Sequence, residues 1–593
     1  MKELDYPFDS DYILKKKKSL KKELLNQNTN FLEKKIAILG GSTTNDIKLI
    51  LELFLLNYDI KPSFYESEYN QYFQEAMFEN KELDEFEPDI IFIHTSNRNI
   101  TNYPTILNTS EEIDNLLHQE YQKFVGIWEN LSKKYNCPII QNNFEYPFYR
   151  LLGNKDATDI HGKTNFITRL NLEFSKYADS HNNFFINDIN YQSSLYGLEK
   201  WSDQFYWHMY KYALAVPAIP LLAFNVANII KSIYGKNKKG LVLDLDNTLW
   251  GGIVGDDGVD NIKIGKDTSE GQVYYEFQNY IKELKQMGII LNINSKNDYE
   301  NAISGLEHPD GVLKKDDFVV IKANWLPKSK NMLDIANELN LGVDSLVFVD
   351  DNPAERAIIN QHIPSVKTPE MKSPETYINT IDRAGFFEVT NLSKDDLKKT
   401  QMYRDNMERN KIMASFTNYD DYLKSLEMHA KIESFIPLYM ARIAQLTNKS
   451  NQFNLTTKRY TQAEIEEVSK DDNYLTLYGK LEDIFGDNGV ISVIIGHINK
   501  TILDIDLWIM SCRVLKRDVE KAMLDVLVKR ALEKGIKEIH GYYYPTAKNG
   551  MVKDFYELQG FTKIKEDDKG NTEWILKIDK DYEPKNKLIR VEE

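Results

Sequence analysis

Short apolar runs alternate with amphipathic segments over the first 232 residues of the chain. Residues 34–58, KKIAILGGSTTNDIKLILELFLLNY, contain an apolar run, a Gly-Ser turn and a helical pattern, which predicts a strand followed by a helix. Residues 86–96, FEPDIIFIHTS, predict a second strand that ends in polar side chains. Strands that alternate with helices form parallel sheets, so we expect an α/β domain over residues 1–232.

The same alternation returns after the polar linker YGKNKKG at residues 234–240. The segments GLVLDLDNT, GIILNINS and DSLVFVDD predict strands with helices between them, which places a second α/β domain at residues 238–370. A charged helical stretch at 393–428 then leads to strands that alternate with the helix VEKAMLDVLVKRALEKG. We therefore expect a helical connector and an α+β domain at residues 371–593, and an α/β multidomain chain as a whole.

One apolar segment is long enough to test as a membrane span. Residues 213–230 carry no charge over 18 positions, which is about the lower length limit for a spanning helix. Pro217, Pro220, Asn225 and Asn228 interrupt the segment, and polar groups are costly in lipid. We predict a buried helix that closes the first domain. The acidic N-terminal residues lack the apolar region of a secretory signal, so we expect a cytoplasmic protein.

Charge and cysteine content narrow the function classes. The chain of 593 residues has 74 Lys and Arg against 90 Asp and Glu, a net charge of −16, which argues against a general nucleic-acid binder. Cys137 and Cys512 are its two cysteines. They form no disulfide framework, which fits a reducing compartment.

The strongest chemical signal is the pair of acids in LVLDLDNT. The strand period of two residues puts Asp244 and Asp246 on one side at the carboxyl end of a buried strand, where open α/β sheets bind ligands. One such acid can hold a divalent cation and form an aspartyl-phosphate, while the other transfers protons. The alternative is two solvated acids at a strand end.

Three more features follow at predicted strand ends or helix starts. Ser295 can donate a hydrogen bond to a phosphoryl oxygen, and Lys328 can neutralise developing charge. Asp350 and Asp351 end the strand SLVFVDD. Carboxylate oxygens are hard ligands that suit Mg²⁺.

These motifs resemble the haloacid dehalogenase (HAD) superfamily of aspartyl-phosphate phosphotransferases, which implies a Rossmann-like domain. The resemblance puts Asp244 in the nucleophile position and Asp246 in the acid/base position, with Ser295 and Lys328 matching later motifs. It implies a Mg²⁺ site formed by Asp244, Asp246, Asp350 and Asp351.

The extended strings LVLDLDNTLWGGIVGDDG, NSKND, NWLPKSK and FVDDNPAER resemble one subfamily, the FkbH-like proteins. This resemblance implies that Asn297 of NSKND contacts substrate. Only 33 residues separate Ser295 from Lys328, so no large cap domain fits between them and we expect a capless, open site. Such a site suits a substrate that another macromolecule presents or a neighbouring domain covers.

The third domain resembles GCN5-related N-acetyltransferases (GNAT), as FkbH-like proteins do at their C-terminus. The Gly-rich pyrophosphate loop of that fold reads RVLKRDVE here, with Lys516 and Asp518 where small residues let the backbone approach a phosphate. We therefore do not expect acetyl-CoA to bind in the usual way. A phosphopantetheine arm on an acyl carrier protein is the expected partner.

Cys512 is the candidate acyl carrier of this domain. Strand parity separates Cys512 from the apolar face that includes Leu503 and Ile505, and basic residues follow it at Arg513 and Arg517, where positive charge favours a thiolate. The alternative is an inert core cysteine. The FkbH-like resemblance implies that the SCR cysteine carries an acyl group. Five polar residues are expected to contact that group: Asn451, Asn454, Thr457, Arg513 and Asn549.

The first domain resembles SGNH hydrolases at GGSTTND, which implies a flavodoxin-like α/β fold with Ser42 as the nucleophile and Asn97 as an oxyanion donor. The final D-x-x-H of those enzymes is missing. The nearest Asp and His pairs, Asp159 with His161 and Asp203 with His208, have the wrong spacing, and an unactivated serine is a poor nucleophile. A scaffold or a docking site for a carrier protein is expected instead of an active esterase.

The leading hypothesis joins the two candidate sites. A phosphorylated three-carbon acyl donor, 1,3-bisphosphoglycerate by resemblance, is processed with Mg²⁺ in the second domain, and the glyceryl group passes through a Cys512 thioester to an acyl carrier protein. The rivals are a plain phosphatase acting on a phosphoprotein or a sugar phosphate, a hydroxyacyltransferase of surface-polysaccharide synthesis, and an inactive interaction scaffold.

Overall fold

The computed structural model describes the chain except residues 29, 393, 414, 451 and 547, and except the side chains of residues 394, 395 and 449. The described residues form two compact units. The first contains Met1–Lys236 and Thr461–Glu464, and the second contains Asn237–Tyr460 and Ile465–Glu593. The first unit ends close to the predicted boundary at residue 232. The predicted boundary at residue 371 falls inside the second unit and stays a prediction.

The first unit is built around a parallel sheet in the order β2-β1-β3-β4-β5. Its strands are β1 (Leu32–Gly40), β2 (Ile60–Glu66), β3 (Ile90–His94), β4 (Ile139–Asn142) and β5 (Phe184–Asn187). Its helices are α1 (Ser10–Gln27), α2 (Asn45–Asn57), α3 (Tyr72–Met77), α4 (Lys81–Phe86), α5 (Ser110–Tyr135), α6 (Lys163–Ser180), α7 (Ile189–Tyr196), α8 (Leu198–Trp201), α9 (Gln204–Tyr210) and α10 (Ile219–Ile233). The order is that of flavodoxin-like folds, and all five residues of β3 are buried because helices cover both faces of the sheet.

The predicted uncharged helix lies in the core of the first unit. Val216–Ile233 is long and apolar enough to cross a membrane by length and composition, with a mean hydropathy of 1.5, and 67% of it is buried inside the protein. Phe224 of α10 packs edge-on against Phe54 of α2, with ring centroids 5.3 Å apart. The segment therefore has the burial of a core helix.

The second unit begins with a four-stranded parallel sheet in the order β8-β7-β6-β9. Its strands are β6 (Gly240–Leu243), β7 (Ile290–Ser295), β8 (Val320–Ala323) and β9 (Leu346–Val349). The helices of this part are α11 (Val254–Asp257), α12 (Ser269–Gln286), α13 (Tyr299–Leu306), α14 (Lys328–Glu338), α15 (Pro353–His362) and α16 (Tyr377–Arg383). This part therefore has the predicted α/β class, and its predicted bounds at residues 238–370 stay a prediction.

The rest of the second unit contains a mixed, mainly antiparallel sheet in the order β15-β16-β14-β13-β12-β11-β10-β17. Its strands are β10 (His429–Glu433), β11 (Tyr474–Asp483), β12 (Gly486–Asn499), β13 (Ile502–Met510), β14 (Glu538–Tyr543), β15 (Thr562–Glu566), β16 (Thr572–Lys577) and β17 (Arg590–Glu592). The helices are α17 (Lys394–Leu397), α18 (Lys399–Met413), α19 (Tyr419–Ser425), α20 (Met440–Lys449), α21 (Gln462–Val468), α22 (Val519–Glu533) and α23 (Phe555–Leu558). Residues 462–464 of α21 group with the first unit. The expected α+β class is confirmed.

Candidate active site

The acidic motifs of the second unit meet because two parallel strands are neighbours. Asp244 directly follows β6 and Asp350 directly follows β9, and these strands pair in parallel. The backbone N–H of Asp244 donates to the carbonyl oxygen of Val349 over 2.9 Å. Segments far apart in sequence therefore place their carboxylates at the same edge of the sheet, as predicted.

Three carboxylates form a compact group at this edge. Among the described residues, one oxygen from each of Asp244, Asp350 and Asp351 lies within 4.8 Å of the other two. The Oδ1 atom of Asp244 is buried and has no hydrogen-bond partner within the described part of the chain. Three hard oxygen donors, one of them unsatisfied, fit a divalent cation such as Mg²⁺.

Lys328 supplies the positive charge of the site. Its ammonium lies 2.6 Å from Oδ2 of Asp350 and 3.0 Å from Oδ2 of Asp244, and its side chain is 3% exposed. Burial opposes the charged ammonium, but the attraction of Asp244 and Asp350 outweighs it and raises the pKa of Lys328. The lysine is therefore held in its charged form beside the candidate nucleophile, as its predicted role requires.

Both acids that follow β9, Asp350 and Asp351, have a raised pKa. Burial, followed by repulsion from Asp244, raises the pKa of Asp350 to about 6 even though Lys328 acts in the opposite direction. The same two causes raise the pKa of Asp351. A single lysine thus does not balance this group of carboxylates, and a bound cation would relieve the repulsion.

Asp246 does not join the group of three. Its Oδ1 accepts hydrogen bonds from the indole N–H of Trp250 at 2.9 Å and the backbone N–H of Val254 at 3.0 Å, and its Oδ2 accepts one from Asn297 at 3.0 Å. Three donors hold its carboxylate apart from that group, so its expected part in binding the metal stays a prediction. Burial raises the pKa of Asp246 despite these bonds, which suits a proton donor.

Several supporting residues were not predicted. Trp250 follows Asp246 by four positions in LDNTLW. This spacing was the sequence signal that could have indicated a contact between the two residues. Arg356, in the string NPAER, donates to the carbonyl oxygens of Asp350 and Asp351 at 2.6 and 2.7 Å. The hydroxyl of Thr248 accepts from the backbone N–H of Asp351 at 3.2 Å. These contacts fix the orientation of the acidic turn after β9.

The flanks of the site agree with a capless domain. Ser295 ends β7 and is 2% exposed, and Asn297 contacts Asp246 rather than open space. Between Ser295 and Lys328 the chain forms α13 and β8, which belong to the sheet domain itself. Trp325, just before Lys328, is 70% exposed and its indole donates to Asp298 at 2.8 Å. The rim therefore presents an aromatic side chain to solvent.

Cys512 is not a strand residue, contrary to the prediction. Strand β13 ends at Met510, and Cys512 begins a 3₁₀ turn that ends at Val514. The register of β12 with β13 also shifts, because Ile495 pairs with Leu507 and Gly496 pairs with Ile505. This irregularity breaks the two-residue period on which the parity argument depended. The thiol remains partly exposed at the end of the strand.

The arginines after Cys512 point inward. Arg513 is 7% exposed, and its Nε donates to the hydroxyl of Ser511 at 3.2 Å while its guanidinium contacts the sulfur of Met402. Arg517 is 6% exposed and donates to Asn406 at 2.7 Å and to Asp483 at 3.2 Å. Both guanidinium groups therefore contact other residues of the protein, and the expected contact of Arg513 with substrate stays a prediction.

Two residues of the loop before α22 have a left-handed backbone conformation. Lys516 and Asp518 have φ of 64° and 60°, in the left-handed region that favours glycine. Both positions were predicted to replace the small residues of a phosphate-binding loop. The path of the main chain thus suits glycine at these two positions, while charged side chains occupy them.

Polar residues in the loops of the third domain form hydrogen bonds with one another. Oδ1 of Asn454 accepts from the backbone N–H of Thr457 at 2.8 Å, and Asn549 donates to the carbonyl oxygen of Asn454 at 2.9 Å. Asn454 is 3% exposed and Asn549 is fully buried. They connect two loops beside the end of β13, and Asn451 lies outside the described residues. Their expected contacts with an acyl group stay predictions.

Among the residues that the structure describes, none acts as a base in contact with Ser42 of the first unit. It is 2% exposed, and its hydroxyl finds no hydrogen-bond partner among the residues described. His161 uses one ring nitrogen on Asp159 at 2.6 Å and the other on the carbonyl oxygen of Asn108 at 3.0 Å. The side chain of Asp203 caps α9. The contacts therefore agree with the expectation of an unactivated serine.

Comparison with known proteins gives three findings. Residues 35–231 match the model of the FkbH N-terminal domain. The chain is also similar to a crystal structure from Bacteroides fragilis, described as the N-terminal part of a protein containing a phosphatase domain complexed with Mg. The identity is 30% and the TM-score 0.58, and the match covers 63% of this chain and 99% of that one. No curated protein sequence matches the chain.

Acetyltransferase structures are also found. An acetyltransferase of the GNAT family from Streptococcus pneumoniae matches with 14% identity and a TM-score of 0.22, covering 26% of this chain and all of that one. An N-acetyltransferase from Thermoplasma acidophilum in complex with coenzyme A matches with 17% identity and a TM-score of 0.19, covering 25% of this chain and 99% of that one.

Proposed function

The chain belongs to the FkbH-like family, and we propose that it is a HAD-type phosphatase that also transfers an acyl group through Cys512. The group of Asp244, Asp350 and Asp351 beside the buried Lys328 carries the proposal. A phosphatase needs a nucleophile, a cation-binding set and a fixed positive charge in one place. The relative from Bacteroides fragilis, crystallised with Mg, adds support.

Mg²⁺ is the proposed cofactor, held by Asp244, Asp350 and Asp351. When bound, it would neutralise charge on a phosphoryl group beside the nucleophile. Lys328 holds a second positive charge at the same place without moving, because two carboxylates fix its ammonium. The three hydrogen bonds to Asp246 orient the acid for proton transfer.

The phosphatase step follows from these roles. A carboxylate oxygen of Asp244 attacks the phosphorus of a phosphate monoester, the bond from phosphorus to the ester oxygen breaks, and the leaving oxygen takes the proton of Asp246. Water then attacks the aspartyl-phosphate, Asp246 accepts the proton of that water, and inorganic phosphate leaves as Asp244 is regenerated.

The acyl-transfer step is proposed for Cys512. Its thiolate attacks the carbonyl carbon of an acyl phosphate, the bond from carbon to the phosphate oxygen breaks, and phosphate leaves with the electron pair. The thioester then passes the acyl group to the thiol of a phosphopantetheine arm on an acyl carrier protein, which frees Cys512. An acyl phosphate is a sufficient donor, so no nucleotide is needed. The proposed donor is 1,3-bisphosphoglycerate, and the proposed location is the cytoplasm, where the thiol stays reduced.

The two sites occupy opposite edges of one sheet. Asp244 lies at the carboxyl edge, whereas the carbonyl oxygen of Cys512 accepts a hydrogen bond from Asn340 at 2.6 Å, near the amino edge, and its side chain packs against the apolar cluster that contains Leu341 and Leu346. A strand of four residues spans about 13 Å. We infer that the ester phosphate is removed at Asp244 and the acyl phosphate is consumed at Cys512 in separate events.

Intact-protein mass spectrometry tests the proposal. Wild-type protein given 1,3-bisphosphoglycerate and Mg²⁺ should gain one glyceryl or phosphoglyceryl mass that hydroxylamine removes, because hydroxylamine cleaves thioesters. Cys512→Ala should lose this adduct and the loading of a carrier protein, while Cys137→Ala should keep both. Phosphate release by Asp244 should continue in Cys512→Ala.

The plain phosphatase is the main rival, since the Asp244 site is complete without Cys512. An adduct that survives in Cys512→Ala, or phosphate release from a sugar phosphate with no adduct at all, would leave that rival standing. Transfer to a sugar acceptor in place of the carrier thiol would favour the polysaccharide alternative.

A further inference from the structure

The ion pair between Lys296 and Glu355 crosses the carboxyl edge of the four-stranded sheet. Lys296 directly follows β7, and Glu355 lies in the first turn of α15, which follows β9. The ammonium donates to the Oε1 atom of Glu355 at 2.6 Å. Strand β6 lies between β7 and β9 and pairs with both. The two side chains therefore bridge two strand spacings, about 10 Å, along the edge where Asp244 follows β6.

The neighbours of this pair in sequence contact the acidic motifs of the candidate active site. Asn297, next to Lys296, donates to Asp246 at 3.0 Å. Arg356, next to Glu355, donates to the carbonyl oxygens of the two acids after β9 at 2.6 and 2.7 Å. Each half of the ion pair is thus adjacent to a residue that holds part of the site, which places the pair at the mouth of that site.

The ammonium of Lys296 keeps donors available at this mouth. An ammonium carries three donors, and within the described part of the chain Glu355 is the acceptor that it contacts. The side chain of Lys296 is 41% exposed, whereas that of Glu355 is 12% exposed. The more buried carboxylate therefore anchors the ammonium, and two donors remain for solvent or a ligand.

Lys296 and Lys328 are two cations with separate partners. Lys328 is fixed by Asp244 and Asp350 at 3.0 and 2.6 Å, so its charge serves the phosphoryl group that is transferred. Lys296 forms its described ion pair with Glu355 instead. Because it follows the strand next to β6, it lies about one strand spacing, roughly 5 Å, along the edge from the acids after β6. Two cations at this separation can each bind one anionic group of a small substrate.

We propose that Lys296 is a substrate-binding residue that selects phosphate monoesters with a second anionic group, a carboxylate or a phosphate, a few bonds from the first. The proposal rests on the phosphatase activity proposed for Asp244 and concerns which substrates that site accepts. The transferred phosphoryl group lies beside Lys328, and the second anion accepts hydrogen bonds from Lys296. Glu355 is the positioning residue that holds the ammonium at the mouth. A three-carbon substrate with an anionic group at each end belongs to this class.

Isothermal titration calorimetry with two probes that differ in one group tests this selection. 3-Phosphoglycerate carries a carboxylate where glycerol 3-phosphate carries a neutral hydroxymethyl group. Both are titrated with Mg²⁺ into Asp244→Asn, in which the proposed nucleophile is absent, and 3-phosphoglycerate should bind more tightly. Adding Lys296→Met should lower the ratio of the two affinities roughly five- to tenfold, as expected for one partly exposed charge-assisted hydrogen bond. Adding Lys296→Arg should keep most of the ratio.

Lys322→Met in the same background is the matched control. Lys322 of β8 forms an ion pair with Glu338 of α14 in the same domain, so its loss removes a comparable surface pair without touching the bridge at the mouth. The ratio should then equal that of Asp244→Asn alone. If Lys296→Met fails to fold, Lys296→Gln replaces it with the same expected loss.

Phosphate release by the wild-type protein from both probes is measured in parallel. Equal affinity ratios after Lys296→Met and Lys322→Met would overturn the inference, and so would the failure of both probes to bind. Phosphate release combined with equal ratios would leave the proposed phosphatase standing without the inference. A ratio that depends on Lys296, in a protein that releases phosphate from neither probe, would support the anion selection and remove the proposed phosphatase.

Discussion

The indole of Trp250 donates a hydrogen bond to the carboxylate of Asp246 over 2.9 Å. This bond, with those from Val254 and Asn297, separates the two acids of the motif. Asp244 joins the group of three carboxylates, and Asp246 is left with a raised pKa beside it. Two acids with different surroundings can serve as nucleophile and proton donor in one step.

Trp250→Phe should lower kcat for a phosphate monoester about tenfold, because Asp246 loses a donor that orients it. Trp250 is fully buried, and the phenyl ring keeps most of its volume. KM and the Mg²⁺ concentration for half-maximal activity should change little, since the group of three carboxylates is untouched. Steady-state kinetics across a Mg²⁺ titration checks this, and an unchanged kcat would contradict it.

Asp244→Asn should reduce phosphate release by about 10³-fold or more while the protein stays folded, because the attacking oxygen and one metal ligand are lost together. A phosphate-release assay on the candidate substrate measures the loss. Asp256→Asn, an exposed acid of the same domain, is the control and should behave like wild type. Chelation should stop wild-type turnover and added Mg²⁺ should restore it. Wild-type rates in Asp244→Asn would remove the nucleophile assignment.

Trp325→Ala should lower activity only on substrates that are bound to another macromolecule. Trp325 is 70% exposed on the segment that precedes Lys328, and exposed aromatic residues often anchor protein partners. We expect kcat/KM for a carrier-bound phosphoryl substrate to fall several-fold, with turnover of p-nitrophenyl phosphate unchanged. Leu558→Ala, which removes another exposed apolar side chain, should affect neither. Equal losses on both substrates in Trp325→Ala would argue against a docking role.

Ser42→Ala should leave acyl transfer and phosphate release within a few-fold of wild type. Its hydroxyl lacks a hydrogen-bond partner in the described part of the chain, so no base activates it. His208→Ala is the companion variant, because it removes one of the two histidines near a potential acid partner. Large and similar losses in both variants, at unchanged melting temperature, would restore the esterase hypothesis for the first domain.

Acid should destabilise the first unit through His94. Burial lowers the pKa of His94 to about 4, against about 6.5 in an unfolded chain. The folded state therefore favours the neutral ring, and this stability is complete above pH 6.5 and lost as the pH falls towards 4. Linkage predicts a loss of about 2 kcal/mol between pH 7 and pH 5, or about 4 to 8 °C in melting temperature for a unit of this size.

His94→Gln is the comparison for that measurement. Nδ1 of His94 accepts from the amide of Asn142 at 2.9 Å, and the glutamine oxygen can accept the same bond without titrating. Calorimetric melting of the first unit should fall less between pH 7 and pH 5 in the variant than in the wild type. Equal decreases would show that other groups set the acid sensitivity.

The sequence predicted those parts of the site that depend on strand ends. Asp244 and Asp350 end buried strands, and parallel strands bring their ends to one edge, so their meeting followed from the pattern alone. The hydrogen bonds to Asp246 could not be predicted, because they depend on how the segment after β6 folds back. Cys512 was misplaced because a register shift changed the two-residue period, and no sequence signal marks that shift.

The directions of side chains were the other feature that could not be predicted from the sequence. Arg513 and Arg517 follow Cys512 in the sequence, and charge alone suggested a cationic site for an anion. Each found partners on the connector helix or on β11 instead. The local sequence pattern therefore located the candidate site residues, whereas tertiary contacts determined the partners of the charged side chains.

The left-handed backbone at Lys516 and Asp518 gives protein engineers a starting point. The main chain already follows a path that glycine adopts without strain, so exchanging both side chains for hydrogen would relieve strain instead of creating it. The side chain of Asp518 accepts no hydrogen bond from the N–H groups at the start of α22, so its loss would cost the helix no capping bond. Lys516→Gly and Asp518→Gly should therefore be accepted without remodelling of the loop.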